Sequence, residues 1–333
     1  MELIKTFAEL DKNDAAIAGG KGASLGEMTQ AGIPVPPGFV VLSGAFEEFL
    51  KATDLNVELD SILDQVNHTV MHEVDGASGK IQALILSKEM PEAIAKEVEA
   101  GFKKLGAKYV AVRSSATSED SADAAWAGQL DSYLNTTHEV LLANVKRCWA
   151  SLFTPRAIFY RFEKGFHPST GSGQAGKRIS VAVVVQKMIQ SEVSGIAFSV
   201  HPVTQDRDQM IIESGFGLGE AIVQGSITPD SYVIEKSAKN ILDKNITVQE
   251  KGLFRRTQPS HEASAGKGAE VNEWRDIPTD KGEMPTLTDE EVLELSDLIM
   301  NIEKHYGFPV DVEWAREKDK FYIVQSRPIT TLK

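Results

Sequence analysis

At 333 residues the chain is long enough for two or three packed units, and its 42% hydrophobic and 25% charged residues are typical of a globular protein. Its 35 Lys and Arg against 48 Asp and Glu give a formal charge of -13, which argues against nucleic acid or an anionic membrane surface as a partner. The single cysteine excludes an internal disulfide, and the N-terminus lacks the pattern of a signal peptide. The most apolar run, Val181–Val185, is too short to cross a bilayer. These features predict a cytoplasmic protein.

The first third of the chain predicts a glycine-rich loop, a short helix and then a mostly helical region. Glycines surround Lys21 in the stretch IAGGKGASLGEM at 17–28, and glycine permits close approaches that a Cβ would block. The loop leads into a short helix over 23–31, which Gly32 and the following prolines end. Helical periodicity continues over 45–105. The space beside Lys21 makes this lysine a candidate phosphate ligand.

Strand signals begin in the middle of the chain and dominate its second half. Residues 109–113 predict a strand that ends at Arg113 and runs into a polar loop over 114–123. A glycine- and serine-rich connection follows at 169–176. Further strands are predicted at 179–189, 194–199, 209–213 and 231–235. Residues 255–284 are polar and are predicted to be irregular.

A capped helix is predicted near the C-terminal end. Thr288 and Glu291 form a capping box, in which each side chain accepts a hydrogen bond from the other residue's backbone N–H. Apolar residues continue the helical period, and Gly307 ends the helix.

The last forty residues predict a β-hairpin that carries polar groups. The strand at 310–315 alternates strictly, so that its two acids, one of them Glu313, share the face opposite its apolar residues. A charged turn connects it to a second strand at 321–327. An antiparallel hairpin can bring Glu313, Gln325 and Arg327 to one end of a sheet.

These residues supply what a nucleoside triphosphate requires: cations for the phosphates, oxygen ligands for Mg2+, backbone donors and an apolar slot for the base. Lys21, Arg113 and Arg327 are the cations. Glu313 and Gln325 have the hard oxygen atoms that suit Mg2+.

A second glycine-rich segment is a candidate source of backbone donors. Residues 215–220, GFGLGE, directly follow a predicted strand that ends at Glu213. Each of these features alone also has an ordinary structural explanation: a tight turn, a solvated strand face, or a surface ion pair worth under about 1 kcal/mol. Their combination in one acidic chain favours a nucleotide site.

Two other motifs do not support a separate site. Residues 171–177 nearly match a P-loop, but Arg178 stands where Ser or Thr must bind Mg2+, and no strand precedes the segment. His68 and His72 have the i, i+4 spacing of a metal pair, yet no third ligand is indicated, so a solvated helix face explains them better.

Cysteine and serine nucleophiles are also not indicated. Cys148 is predicted to lie in the core, because free cysteine behaves mostly as a small buried hydrophobe. Ser114 and Ser115 are not surrounded by the G-x-S-x-G elbow of a serine hydrolase.

Several motifs, in order and over nearly the whole chain, resemble the N-terminal nucleotide-binding region of the phosphoenolpyruvate synthase (pyruvate, water dikinase) family. Pyruvate phosphate dikinase and rifampicin phosphotransferase share this region. The motifs are GGKGASLGEM at 19–28, IPVPPGF at 33–39, VRSSATSED at 112–120, AGQLDSYLN at 127–135, SLFTPRAIFYR at 151–161, VVVQKMI at 183–189, SGIAFSVHP at 194–202, GLGEAIVQGSITPDSY at 217–232, DVEWA at 311–315 and IVQSRP at 323–328.

The resemblance implies an α+β, ATP-grasp-type fold in which a helical or mixed N-terminal lobe, 1–175, and a sheet-based lobe, 176–333, clamp the nucleotide. Lys21, Arg113 and Arg327 match the catalytic, phosphate-binding cations of the family. Glu313 and Gln325 match its metal ligands. The remaining nucleotide-binding positions are the adenine hinge Gln186, Lys187, Met188 and Ile189, the phosphate lid with Gly128 and Gln129, and Glu213, Gly217 and Gly219.

In family terms, Mg-ATP is converted to AMP and phosphate, and the β-phosphoryl group passes to a histidine on a separate swivelling domain and then to pyruvate. None of the seven histidines has the sequence context of that acceptor. The resemblance therefore implies that the phosphohistidine and pyruvate-binding domains act in cis in a full enzyme or in trans, and that pyruvate is only an indirect partner. Two alternatives remain: the ATP domain of a rifampicin-phosphotransferase-like enzyme, or a non-catalytic nucleotide-binding module.

Overall fold

The computed structural model describes residues 2–117, 131–163, 180–256, 271–330 and 332. The chain forms two compact units: unit 1 comprises Met1–Glu27 and Pro37–Lys187, and unit 2 comprises Met28–Pro36 and Met188–Lys333. The sequence predicts a boundary at 175/176. The boundary lies after Lys187 instead, because the strand Val181–Lys187 pairs with strands of unit 1.

Helices and strands are mixed throughout the described residues, which confirms the predicted α+β class. The helices are α1 (Ala15–Gln30), α2 (Ser43–Ala52), α3 (Leu55–Asp64), α4 (Met71–Ser87), α5 (Glu92–Leu105), α6 (Leu141–Ala150), α7 (Pro155–Glu163), α8 (Glu220–Val223), α9 (Thr279–Gly282) and α10 (Asp289–Tyr306). The strands are β1 (Ile4–Thr6), β2 (Gly38–Val41), β3 (Val110–Ala116), β4 (Ser132–Thr136), β5 (Val181–Lys187), β6 (Val193–Phe198), β7 (Gln209–Phe216), β8 (Asp230–Glu235), β9 (Asn240–Asn245), β10 (Lys251–Arg255), β11 (Asn272–Asp276), β12 (Val310–Glu317) and β13 (Lys320–Pro328).

Unit 1 is an antiparallel sheet with helices on both faces. Among the described residues its strand order is β1-β2-β5-β3-β4. Alternate residues of β3 and β5, including Val112 and Val183, join a buried cluster with the apolar faces of α2 to α7. The opposite face carries Arg113, Ser115 and Gln186, and Gly22 of α1 packs there against Val40.

Unit 2 is a larger antiparallel sheet with the order β13-β12-β6-β7-β8-β9. One face buries Val312, Ile212 and Tyr232, and α10 packs on β12, β7 and β9. The predicted cap of α10 is confirmed: Thr288 accepts a hydrogen bond from the Glu291 N–H, and Gly307 ends the helix with a φ of 75°. The second face of this sheet carries the polar residues of the hairpin.

Three sequence predictions are corrected. The glycine stretch around Lys21 is not a loop, since α1 begins at Ala15 and includes it. The strand β3 does not end at Arg113; it continues to Ala116, and both of its serines are buried. Residues 255–284 are not simply irregular, because β11 pairs with β10 and α9 follows.

The helical region at 45–105, the four strands predicted after residue 179 and the terminal hairpin are confirmed. The connection at 169–176 and the P-loop-like segment lie outside the described residues. Across the part of the chain that the structure describes, no helix combines the length and the apolar character needed to cross a membrane.

Candidate functional site

In unit 1, Lys21 lies just after a break in α1. Gly19 has non-helical backbone angles, with φ at 69° and ψ at 169°, inside the span Ala15–Gln30. Only glycine adopts such a conformation without steric cost. Lys21 therefore occupies the first turn of the helical segment that follows the break, and its side chain is half-buried.

The glycines around Lys21 allow close packing within the chain itself. A Cβ on Gly19 would lie 2.2 Å from Ser115 Oγ, and a Cβ on Gly22 would lie 3.0 Å from Val40 Cγ2. The interpretation that Gly19 and Gly22 leave open space for a ligand is therefore wrong. They instead bring the lysine-bearing turn directly onto β2 and β3.

Arg113 lies on the face of the unit 1 sheet that α1 covers. It pairs with Val184 of β5, is only 8% exposed, and belongs to the same strand face as Ser115. Gln186 is 3% exposed and lies on this face one strand away, opposite Ala111. The structure thus places Arg113 and Gln186 together with the Lys21 turn on one face. A guanidinium stays charged even when buried, so Arg113 is a fixed cation.

The other predicted binding residues of unit 1 are Lys187, Gly128 and Gln129. Lys187 is exposed, and its N–H donates to the Pro37 carbonyl at 2.8 Å. Gly128 and Gln129, the predicted lid residues, lie outside the described residues. Their role stays a prediction.

In unit 2, a row of residues crosses the sheet on the face opposite Trp314. Glu313 is paired with Gln325 of β13 on one side and with Ile196 of β6 on the other, and Ile196 is paired with Glu213 of β7. Directly paired residues share a face, so Gln325, Glu313 and Glu213 point the same way. The Cα atoms of Glu313 and Glu213, two strands apart, are roughly 10 Å apart.

A β-bulge places Gln325 in this row. Glu313 pairs with Gln325, whereas Trp314 pairs with Ile323, so Val324 is the additional residue on β13. Strict alternation would put Gln325 on the same face as the buried Ile323. The bulge reverses that alternation and moves the Gln325 side chain to the face of Glu313.

Arg327 is held by a carboxylate beside this row. It pairs with Asp311 across the hairpin, and its Nε and Nη2 atoms each lie 2.7 Å from Asp311 Oδ2. Burial raises the pKa of the Asp311 carboxyl, and the Arg327 charge opposes that rise. Asp311 was not among the predicted site residues. Alternation places it on the same face as Glu313 but does not show that it pairs with Arg327.

The other predicted binding residues of unit 2 lie in the same sheet or in the segments next to its strands. Burial raises the pKa of the Glu213 carboxyl. The Gly217 N–H donates to the Glu192 carbonyl at 3.0 Å, so this backbone donor is used within the chain. Gly219 directly precedes α8, and Ile189 is buried next to the half-buried Met188. A role for these residues in binding stays a prediction.

The polar groups set aside by the sequence analysis have structural roles. Cys148 is fully buried, as predicted, and burial raises the pKa of its thiol to about 12. His68 and His72 do not share a helix: α4 begins at Met71, and the His68 ring stacks on Phe162 with centroids 4.7 Å apart. Ser114 Oγ lies 3.0 Å from Ser151 Oγ and is buried.

The donor set of unit 2 fits a cation that is shared with a ligand. The described residues contain no group of three or more His, Cys, Asp or Glu side chains arranged to hold a metal ion. Glu313 and Gln325 offer one carboxylate and one amide oxygen side by side. Mg2+ is commonly bound in this way, through one or two protein oxygens together with phosphate oxygens and water.

A family model described as the pyruvate phosphate dikinase AMP/ATP-binding domain matches residues 15–333. The chain is 43% identical over its whole length to a probable phosphoenolpyruvate synthase of Methanocaldococcus jannaschii. It is 40% identical over 99% of its length to the phosphoenolpyruvate synthase of Pyrococcus furiosus, and 37% identical over 99% to the rifampicin phosphotransferase of Bacillus subtilis.

These relatives are much longer proteins. The chain spans 27% of the length of the M. jannaschii relative, 44% of the P. furiosus relative and 36% of the B. subtilis relative. The match confirms the resemblance given by the sequence motifs.

Proposed function

This chain belongs to the family of the pyruvate phosphate dikinase AMP/ATP-binding domain, and from that premise we propose that it binds Mg-ATP for a phosphoenolpyruvate synthase-like phosphotransferase. The observation that carries the proposal is the pairing in the unit 2 hairpin. Two oxygen donors, Glu313 and Gln325, lie beside the Asp311–Arg327 pair on one sheet face. That combination suits a metal-bound phosphate chain, which requires both metal ligands and cations near its oxygen atoms.

The cations of unit 1 are proposed to bind phosphate oxygens of ATP. Lys21 lies at the start of a helical segment, and Arg113 is a buried cation on the sheet face beneath it. Charge-assisted hydrogen bonds to phosphate are about twice as strong as neutral ones. Gln186, Lys187, Met188 and Ile189 are proposed to contact the adenine base, and Gly128 and Gln129 to close over the phosphates.

Glu313 and Gln325 are the residues that would hold Mg2+ in this proposal. The metal would neutralise charge on the phosphate oxygens, which is its usual contribution to phosphoryl transfer. Arg327 would bind a phosphate oxygen while Asp311 keeps its guanidinium in place. Phosphoryl transfer depends mostly on such positioning and charge neutralisation, so none of these side chains has to act as a nucleophile.

The acceptor is proposed to lie outside this chain. ATP, water and a histidine of another domain or partner would yield AMP, inorganic phosphate and a phosphohistidine that carries the β-phosphoryl group. The phosphohistidine would then phosphorylate pyruvate, which would leave this chain with an indirect relation to that substrate. The 37% identity to a rifampicin phosphotransferase supports an antibiotic as the alternative final acceptor.

Phosphorus NMR of Mg-ATP tests this proposal. The chain is incubated alone, and then with a separately expressed phosphohistidine domain and pyruvate. We expect AMP and phosphate to form only when the second domain is present. Formation of ADP would contradict the proposed reaction, and tight binding without turnover under both conditions would indicate a non-catalytic module.

A further inference from the structure

The Ser115 hydroxyl is inserted into the backbone ladder of α1 at the turn that contains Lys21. Ser115 Oγ donates to the Ala18 carbonyl at 3.0 Å and accepts from the Gly22 N–H at 3.2 Å. Residues 18 and 22 are the i and i+4 partners that an unbroken α-helix would bond directly. A side chain inserted between such partners is a recognised cause of a helix break.

This insertion is tightly fixed. Ser115 is fully buried, and its hydroxyl and carbonyl oxygens lie so near Gly19 that a Cβ there would be 2.2 and 2.3 Å away from them. Lys21 lies inside the opened turn, between the two residues that the hydroxyl bridges. Arg113 is two residues before Ser115 on the same strand face. One serine thus links the turn that contains Lys21, through the backbone of Ala18 and Gly22, to the strand that carries Arg113.

We propose that Ser115 is a positioning residue. It holds Lys21 at a fixed position relative to Arg113, so that both cations reach the phosphates of one nucleotide. This inference rests on the proposed ATP binding. Without the hydroxyl, the Gly22 N–H can bond the Ala18 carbonyl directly, because glycine at position 19 also permits helical angles. The turn would then close, and the Lys21 side chain would move along and around the helix.

The test is a double-mutant cycle on the affinity for Mg-ATP, measured by calorimetric titration of the full chain. We expect Ser115→Ala to raise the Kd about tenfold when Lys21 is present and less than about twofold in the Lys21→Ala background. In the Arg327→Ala background, Ser115→Ala should again raise the Kd about tenfold. Ser115 is proposed to position Lys21 only, and Arg327 lies on β13 of the other unit. A merely structural role would weaken binding by the same factor in every background.

The matched control is Ser114→Ala. Ser114 is the neighbouring residue of β3, is equally buried, and makes its hydrogen bonds to the Ser151 hydroxyl and to backbone carbonyls on the other face. Its loss should lower the unfolding free energy and leave the Kd unchanged. If Ser115→Ala does not fold, Ser115→Cys enters the same cycle, because it keeps a side-chain atom at this position and weakens both hydrogen bonds.

The outcomes separate this inference from the proposed function. No ATP binding by the wild-type chain overturns both. Binding by the wild type with an unchanged Kd in Ser115→Ala overturns the inference alone, and so does an equal loss in the presence and absence of Lys21.

Discussion

The two units fix their candidate site residues by different physical means. In unit 1, Lys21 and Arg113 come from a broken helix and a strand, and close backbone packing at Gly19 brings these elements together. In unit 2, Glu313 and Gln325 are direct partners in one hairpin, so sheet register alone places them. The candidate residues of unit 1 are cations, and those of unit 2 are oxygen donors with one paired arginine. Under the proposed function, we therefore expect substitutions in unit 1 to act on phosphate binding and substitutions in the unit 2 hairpin to act on metal binding.

The largest effect on ATP binding is expected from Lys21→Ala. A charge-assisted contact to phosphate is worth about 1.5–3 kcal/mol, so we expect the Kd for ATP to rise about 10- to 100-fold, with Mg2+ present or absent. Calorimetric titration measures this change.

Lys12→Ala is the matched control for that variant. Lys12 belongs to the same N-terminal stretch, but its side chain is 66% exposed and lies 3.6 Å from Glu27. Its removal should change the Kd less than about twofold. Equal effects of the two substitutions would mean that Lys21 acts only through the net charge.

The largest effect on stability, rather than on binding, is expected from Gly19→Ala. The new Cβ would meet Ser115 at 2.2 Å and would also force a left-handed backbone on alanine. We expect a loss of about 2–4 kcal/mol in the free energy of unfolding, measured by urea denaturation.

Gly32→Ala separates the two causes of that loss. Gly32 has a φ of 75°, but no atom lies within 4 Å of the position that the new methyl group would take, so only the backbone strain applies, about 1 kcal/mol. If both alanine variants lose the same stability, the packing of the Lys21 turn on β3 does not constrain position 19.

The smallest effect is a pH dependence in unit 2. Burial raises the folded-state pKa of Glu213, so the folded protein binds more protons than the unfolded chain above about pH 4. The stabilisation from this extra proton is present at acid pH and is lost as the pH rises through the folded-state pKa.

Glu213→Gln removes this titration. We therefore expect the unfolding free energy of the wild type, relative to that of the variant, to fall between about pH 4 and pH 7 by less than about 1 kcal/mol. Urea denaturation over this range measures the difference. A difference that stays constant with pH would show that burial at Glu213 does not affect its protonation.

Local periodicity was enough to predict much of the fold. Alternation placed Asp311 and Glu313 on one face, and the capping box located the start of α10, because these signals depend on neighbouring residues only. The break at Gly19 was not predictable in this way. It depends on Ser115, which is about a hundred residues away in sequence, and the stretch alone is equally typical of a loop.

The bulge at Val324 is a second feature that local sequence does not predict, and it lies within the candidate site. The sequence predicted that Gln325 joins Glu313, but simple alternation along β13 would have put it on the buried face with Ile323. The predicted hairpin brought the two residues to one end of a sheet, but the reason that they share a face required the register of the hairpin. Asp311 was missed because an arginine partner sixteen residues later is not a local signal.

The most direct test of the account is the Mg2+ dependence of ATP affinity in Glu313→Gln. We expect the wild type to bind ATP more tightly with Mg2+ than without it, and we expect Glu313→Gln to lose this gain while its metal-free affinity is unchanged or tighter. Glu317→Gln, which removes a carboxylate at the turn end of the same strand, should keep the full gain. A Glu313→Gln protein that keeps the wild-type response to Mg2+ would contradict the assignment of the hairpin as the metal-binding part of the site.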